Sequence, residues 1–169
     1  GIPSTKLKII GSGSSNGVDI GYFDVTPELE QFSKAFKTRH GLNDCFVFTF
    51  IGRIVRDKGV EELLEAYAKL SDERDDIKLL LVGSEEPMID PISSHAQTIL
   101  ATNKGIVRTG FLKDVRPDLV SSDSLVLPSY REGFPNVVMQ AACMGVPSIV
   151  SDISGCNEII QDRDNGLVV

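Results

Sequence analysis

No stretch of this 169-residue chain approaches the roughly 20 consecutive apolar residues that a membrane-spanning helix needs. Its start carries no signal-peptide pattern. Internal repeats and low-complexity tracts are also missing. Positive charge is scarce: 17 Lys and Arg stand against 24 Asp and Glu, a formal net charge of −7. That balance argues against a nucleic-acid backbone as partner, and it makes each Arg or Lys a marker if the ligand is an anion. Cysteine is limited to Cys45, Cys143 and Cys156, odd in number and without metal-ligand spacing. They read as buried reduced thiols in a reducing compartment. No Gly-x-Gly-x-x-Gly follows the first strand-like run, so the NAD fingerprint is missing. An initiator Met is lacking too, and the chain stops on the apolar run Gly166–Val169. Both ends suggest a piece of a longer polypeptide.

What is present is a globular composition, 41% hydrophobic and 24% charged. At this length it is enough for one domain with a substantial core. Short continuous apolar runs at 46–51, 77–82, 106–109, 124–127, 148–150 and 166–169 predict strands covered on both faces. Helix-like segments alternate with them. Residues 27–40 place Leu29, Phe32 and Phe36 at helical spacing and end at Gly41. Residues 58–70 do the same with Val60, Leu63, Leu64 and Tyr67. Further helices are expected at 89–100, 115–120 and 157–161, and a short one runs from Asn136 to Gly145. This order predicts an α/β fold: a Rossmann-like doubly wound parallel sheet of about six strands. Ligands in such sheets sit beyond the carboxyl ends of the strands, so the loops after strands matter most.

Two of those loops hold the chemistry. The first is Gly52-Arg53-Ile54-Val55-Arg56-Asp57-Lys58-Gly59. Gly52 lets a ligand approach the backbone. Arg53 offers a forked grip on phosphate and Lys58 a mobile point charge. Lys58 is expected at a helix start, where the macrodipole opposes a cation and a bound anion would offset the conflict. By themselves the two cations read equally well as solvated loop charges. The second loop is Ser129-Tyr130-Arg131-Glu132-Gly133-Phe134-Pro135-Asn136. Glu132 alone reads as a solvated carboxylate. Its neighbours add free N–H donors at Gly133, Phe134 and Asn136, a stiffening Pro135, an expected N-cap at Asn136 and an amide side chain at Gln140. That inventory suits a sugar joined to a diphosphate. The single Asp-x-Asp match, Asp162-Arg163-Asp164, precedes the turn signal Asn165-Gly166 and reads as a solvated turn. Neither His40 nor His95 is a site candidate.

The Gly-Arg-x4-Lys-Gly element, followed by Ser-x-x-Glu-Gly-Phe-Pro, resembles the donor-binding domain of retaining GT-B glycosyltransferases of family 4, the glycosyl transferases group 1. The likeness covers nearly the whole chain. Residues 15–19, Ser-Asn-Gly-Val-Asp, resemble the family's interdomain element, so composition calls 11–19 a flexible linker while the resemblance calls it part of a hinge. Residues 151–160 match the family as well. The resemblance implies a hinge over 1–25, a donor domain over 26–169 and an N-terminal acceptor domain outside this chain.

Residue by residue, the resemblance gives Arg53 and Lys58 the diphosphate and Glu132 the donor sugar, these three forming the catalytic set. Donor contacts would come from Gly52, the amides of Gly133, Phe134 and Asn136, and the adjoining Pro135 and Val137. Phe111 and Leu112 would meet the base, uracil or alternatively guanine. Gln140 stands where the family commonly has a second Glu on the ribose. It keeps an acceptor but loses the charge, so two carboxylates acting as an acid/base pair are not implied. No metal and no cofactor are expected: the cations and helix-start dipoles would stabilise the leaving diphosphate. The substrate implied is a nucleotide diphosphate sugar. The acceptor, a glycan or a lipid-linked sugar in polysaccharide biosynthesis, would bind the other half, which would also make any membrane contact. A cytoplasmic hexosyl- or N-acetylhexosaminyltransferase results, its isolated donor domain inactive alone. Alternatives are a nucleotide-sugar epimerase, opposed by Glu-Gly-Phe-Pro and Ser-Asn-Gly-Val-Asp, and a non-catalytic relative, favoured only by Gln140.

Overall fold

The computed structural model describes residues 3–8 and 17–169. Most of the expected interdomain stretch, 11–16, therefore lies outside the described residues. The secondary structure begins with a 3-10 turn at Ser4–Lys6 and then alternates helix and strand. The order is α1 (Pro27–His40), β1 (Phe46–Ile51), a 3-10 turn (Arg56–Lys58), α2 (Val60–Glu73), β2 (Ile77–Val82), α3 (Ser94–Thr102), β3 (Ile106–Gly110), α4 (Arg116–Val120), β4 (Ser124–Leu127), α5 (Asn136–Cys143), β5 (Ser148–Val150), α6 (Cys156–Ile159) and β6 (Gly166–Val168).

The six strands form one parallel sheet in the order β3-β2-β1-β4-β5-β6. The chain winds outward from β1 through β2 to β3, then returns to the centre and winds the other way through β4, β5 and β6. That reversal puts a topological switch point between β1 and β4, where the loops leaving the two strands diverge and open a crevice. Both faces are covered, as the unbroken apolar runs predict. Along β2, Leu79 and Leu81 join the core under α2 and α5, whereas Leu80 and Val82 join Leu42 and Val47 on the opposite face, with Phe36 of α1 packed against them.

Local chemistry explains most helix ends. Thr26 caps α1 by accepting from the Leu29 amide at 3.3 Å, Pro27 takes its first position, and Gly41 ends it in the left-handed region. The helix expected from Ile89 begins only at Ser94, because Pro91 favours extended backbone before it and Ser93 supplies the cap, accepting from Ala96 at 3.2 Å. The helix expected from Lys58 begins at Val60. Arg56–Lys58 close a 3-10 turn and Gly59, at φ 67°, turns the chain into the helix. Lys58 thus lies before the helix and not in its first turn. Asn136 is likewise not a cap: Pro135 holds that position without a side-chain bond, and Asn136 is the first helical residue. Of the thiols, Cys156 is buried while Cys45 and Cys143 are half-buried; all three are free.

Gly59 also marks a close approach between the two central loops. A Cβ there would stand 2.0 Å from the carbonyl oxygen of Pro128, on backbone of positive φ. Gly59→Ala is expected to lower stability by at least about 2 kcal/mol through strain and steric displacement together. Urea unfolding measures it, and a midpoint equal to wild type would contradict the close approach.

Under α1, Asp118 of α4 is 1% exposed, and neither carboxylate oxygen has a hydrogen-bond partner among the described residues. Burial pushes its carboxyl up to about 6, with a smaller contribution from the charge of Asp114.

Candidate active site at the switch point

The loop after β1 is fastened to the loop after β2. Gly52 donates to the Val82 carbonyl at 2.9 Å, Ile54 to Ser84 at 2.9 Å, and Asp57 to the Asp90 carboxylate at 2.7 Å. Gly83 permits this contact, because a Cβ on it would meet the Gly52 carbonyl oxygen at 1.8 Å. The loop after β4 is tied to the same segment: the Tyr130 amide donates to the Asp57 carbonyl at 3.1 Å, and Arg131 Nε donates to Asp57 Oδ1 at 2.9 Å. Three loops from three strands are thereby held as one surface over the crevice.

On that surface the structure brings Lys58 and Glu132 into direct contact. Lys58 Nζ donates to Glu132 Oε1 at 2.7 Å, and Ser129 Oγ donates to the same oxygen at 2.8 Å. Both charged side chains are largely withdrawn from solvent, at 18% and 14% exposure. Glu132 is therefore no solvated loop charge; it is oriented through Oε1, and Oε2 makes no hydrogen bond among the described residues. Ser129 was not singled out from the sequence, although its position three residues before Glu132 is the spacing that lets a loop hydroxyl reach a carboxylate. Arg53 lies on the same loop as Lys58 but is not part of this cluster. Its Nη1 donates to Glu86 Oε2 at 2.9 Å, a partner sequence reasoning also missed.

The remaining expected residues fall into two groups around this centre. Gly52, Arg53, Phe111 and Leu112, with Gly83 and Ser84, line a cavity of about 270 Å3 at the ends of β1, β2 and β3. On the other side, the Gly133-Phe134 backbone packs against the loop after β5. A Cβ on Gly155 would meet the Gly133 carbonyl oxygen at 2.1 Å. Pro135 is buried, Val137 is half-buried, and Asn136 Oδ1 is buried with no partner among the described residues. Gln140 lies one turn into α5, half-buried, its side-chain amide making no hydrogen bond among the described residues. Cys156 sits close enough to feel the centre: burial first, then the charge of Glu132, push its thiol up to about 11, so it stays protonated and unreactive.

A further cavity, of about 530 Å3, escaped the sequence reading. It adjoins Arg53 and is lined by Arg56, Tyr130 and Arg131, among others. Among the described residues, no group of three His, Cys, Asp or Glu side chains gathers as a metal site. Asp162–Asp164 form an exposed turn, as expected, with Arg163 at φ 62° and Asp162 Oδ1 accepting from the Val168 amide.

A model of the glycosyl transferases group 1 matches residues 45–169. The chain belongs to that family. Its sheet is a Rossmann-like half of the GT-B architecture. Among curated relatives, the capsular polysaccharide biosynthesis glycosyltransferase CapM of Staphylococcus aureus is 30% identical over 97% of this chain and 42% of its own length. The UDP-Gal:alpha-D-GlcNAc-diphosphoundecaprenol alpha-1,3-galactosyltransferase of Escherichia coli is 32% identical over 91% of this chain and 40% of its own length. The chain thus spans about two fifths of the curated relatives it matches. Among solved structures, Anabaena HepE in complex with UDP superposes with a TM-score of 0.78 at 22% identity, over 91% of this chain and 42% of that one. The C-terminal domain of the group 1 protein LpcC from Francisella tularensis gives 0.75 at 23% identity, over 90% of this chain and 80% of that one. At those identities the solved structures speak for the group 1 fold alone.

Proposed function

We propose that this chain is the donor-binding half of a retaining GT-B glycosyltransferase that uses a nucleoside diphosphate sugar, with UDP as the nucleotide. The observation that carries this reading is the Lys58–Glu132 contact at the switch point, made from the same loop after β1 that carries Arg53. A cation for the departing phosphate and a carboxylate for sugar hydroxyls must lie within one sugar's width of each other, and here they touch. Arg53 and Lys58 bind the diphosphate and stabilise the negative charge that grows on it as the glycosidic bond breaks, with no metal needed. Glu132 Oε2 accepts from a donor-sugar hydroxyl. The amides of Gly133, Phe134 and Asn136 complete that pocket, and Pro135 and Val137 fix its shape. The cavity at Gly52, Phe111 and Leu112 receives the base, and Gln140 reaches the ribose. One carboxylate and one amide stand where an acid/base pair would need two carboxylates, which favours retention driven by charge stabilisation.

The acceptor half lies outside this chain, so the chain binds the donor and transfers nothing alone. One relative's role in capsular polysaccharide biosynthesis and two relatives' diphosphoundecaprenol-linked acceptors support a glycan or lipid-linked acceptor, polysaccharide assembly and transfer of a hexosyl or N-acetylhexosaminyl group. Titration calorimetry with UDP tests the donor role. Arg53→Ala is expected to weaken binding about tenfold or more, the loss of one charge-assisted phosphate contact. Equal affinity in wild type and variant would remove Arg53 from the phosphate site, and no UDP binding to wild type would overturn the donor reading.

A further inference from the structure

The cavity of about 530 Å3 that adjoins Arg53 falls within the roughly 300–1,000 Å3 typical of small-ligand pockets. It shares Arg53 with the proposed donor site and contains neither Lys58 nor Glu132. Its lining does not suit a second anion, because four carboxylates outnumber three guanidiniums. The two kinds of group are interleaved: Arg131 sits on Asp57 at 2.9 Å, and Arg56 lies 3.8 Å from Glu61. Several carboxylates keep one oxygen for a ligand. Glu62 accepts from the Tyr130 hydroxyl through Oε1 and Asp90 accepts from the Asp57 amide through Oδ2, leaving Oε2 and Oδ1 without donors among the described residues. Tyr130, 61% exposed, is held at its hydroxyl by Glu62, so an aromatic ring is fixed at the cavity wall.

Few ligand classes need all of this together. A pyranose carries adjacent hydroxyls that each donate and accept, which interleaved guanidiniums and carboxylates satisfy in pairs. It also has an apolar C–H face that an amphipathic aromatic ring covers. A phosphate has no donors for the carboxylates, and a purely apolar ligand would strand them. We infer that this cavity is a carbohydrate subsite, one that holds a sugar of the acceptor beside the donor. The acceptor role rests on the proposed donor site; the carbohydrate chemistry of the cavity does not. The donor half thus helps choose the acceptor, a task the sequence reading assigned mainly to the other half.

Saturation-transfer NMR on this chain tests the inference, with the methyl glycosides of glucose, galactose, N-acetylglucosamine and N-acetylgalactosamine as probes, with and without saturating UDP. At least one glycoside is expected to receive saturation, and to keep it when UDP is added. Tyr130→Ala and Arg56→Ala are each expected to reduce that signal about fivefold, a contact of the order of 1 kcal/mol. Arg56 is well exposed, so its variant keeps the test open if Tyr130→Ala folds poorly. UDP affinity of both variants should stay within about twofold of wild type, about 0.4 kcal/mol. No signal from any glycoside, loss of signal on adding UDP, or an unchanged signal in either folded variant would overturn the subsite. Failure of wild type to bind UDP would instead remove the donor reading, while the glycoside signals would still report on the cavity.

Discussion

Lys58→Ala is expected to slow sugar transfer by the full-length protein about 100- to 1,000-fold, the usual consequence of deleting one preorganised donor to a developing negative charge. Lys58 is the cation that both touches Glu132 and lies between the β1 and β4 loops. Removing it deletes a partner of the leaving diphosphate and also frees Glu132 from the orientation it now holds, leaving Ser129 Oγ as its donor. Lys58→Arg is the informative companion. It restores charge but presents a planar fork where a point charge fits, so partial recovery is expected. The assay is UDP release in the presence of acceptor, with UDP affinity measured in parallel. Loss of rate with little loss of affinity would place Lys58 on the transition state. Wild-type rate in Lys58→Ala would refute its role altogether.

The second large effect is on stability and comes from Asp118. Its folded-state carboxyl titrates near 6, against 3.8 for an unperturbed aspartate. Below about pH 4 the group is protonated in both states and contributes no penalty. From about pH 4 to 6 the unfolded chain ionises while the folded one keeps its proton, so this group's contribution falls as pH rises. Above about pH 6 the loss is complete, and it amounts to about 3 kcal/mol. Asp118→Asn keeps the shape and removes the charge. It is expected to stabilise the chain at pH 8 by about 2 kcal/mol, roughly 4–8 °C in Tm, and to have little effect near pH 4. Thermal melts of both proteins across that range decide the matter. A Tm difference that does not change with pH would show that Asp118 is not held in its neutral form.

Strand positions and the winding of the sheet were legible because each parallel strand is an uninterrupted apolar run, and such runs hardly depend on their neighbours. The placement of Arg53, Lys58 and Glu132 was legible for a different reason: they occupy loops directly after strands, and topology sends those loops to one edge. What the sequence concealed was pairing. Glu86 lies 33 residues from Arg53, and Glu132 lies 74 from Lys58. No local pattern states which acid meets which base, so both cations read as free until the loops were closed. Helix starts failed where a glycine or proline acted through φ. Gly59 delayed α2 by two residues, and Pro135 took the cap position expected for Asn136. Tyr130 was passed over because a tyrosine in a polar loop looks unremarkable until its hydroxyl is seen to be held.

Arg53 and Lys58 each rest on a carboxylate of their own chain, Glu86 and Glu132. On the proposed reading, an arriving diphosphate therefore replaces one anion with another. The same carboxylates stand ready to reclaim the cations when the spent nucleotide departs. Turnover in such a site resembles exchange on an ion-exchange resin, in which neither cation is left bare on either leg of the cycle. A site built this way trades some affinity for speed of release.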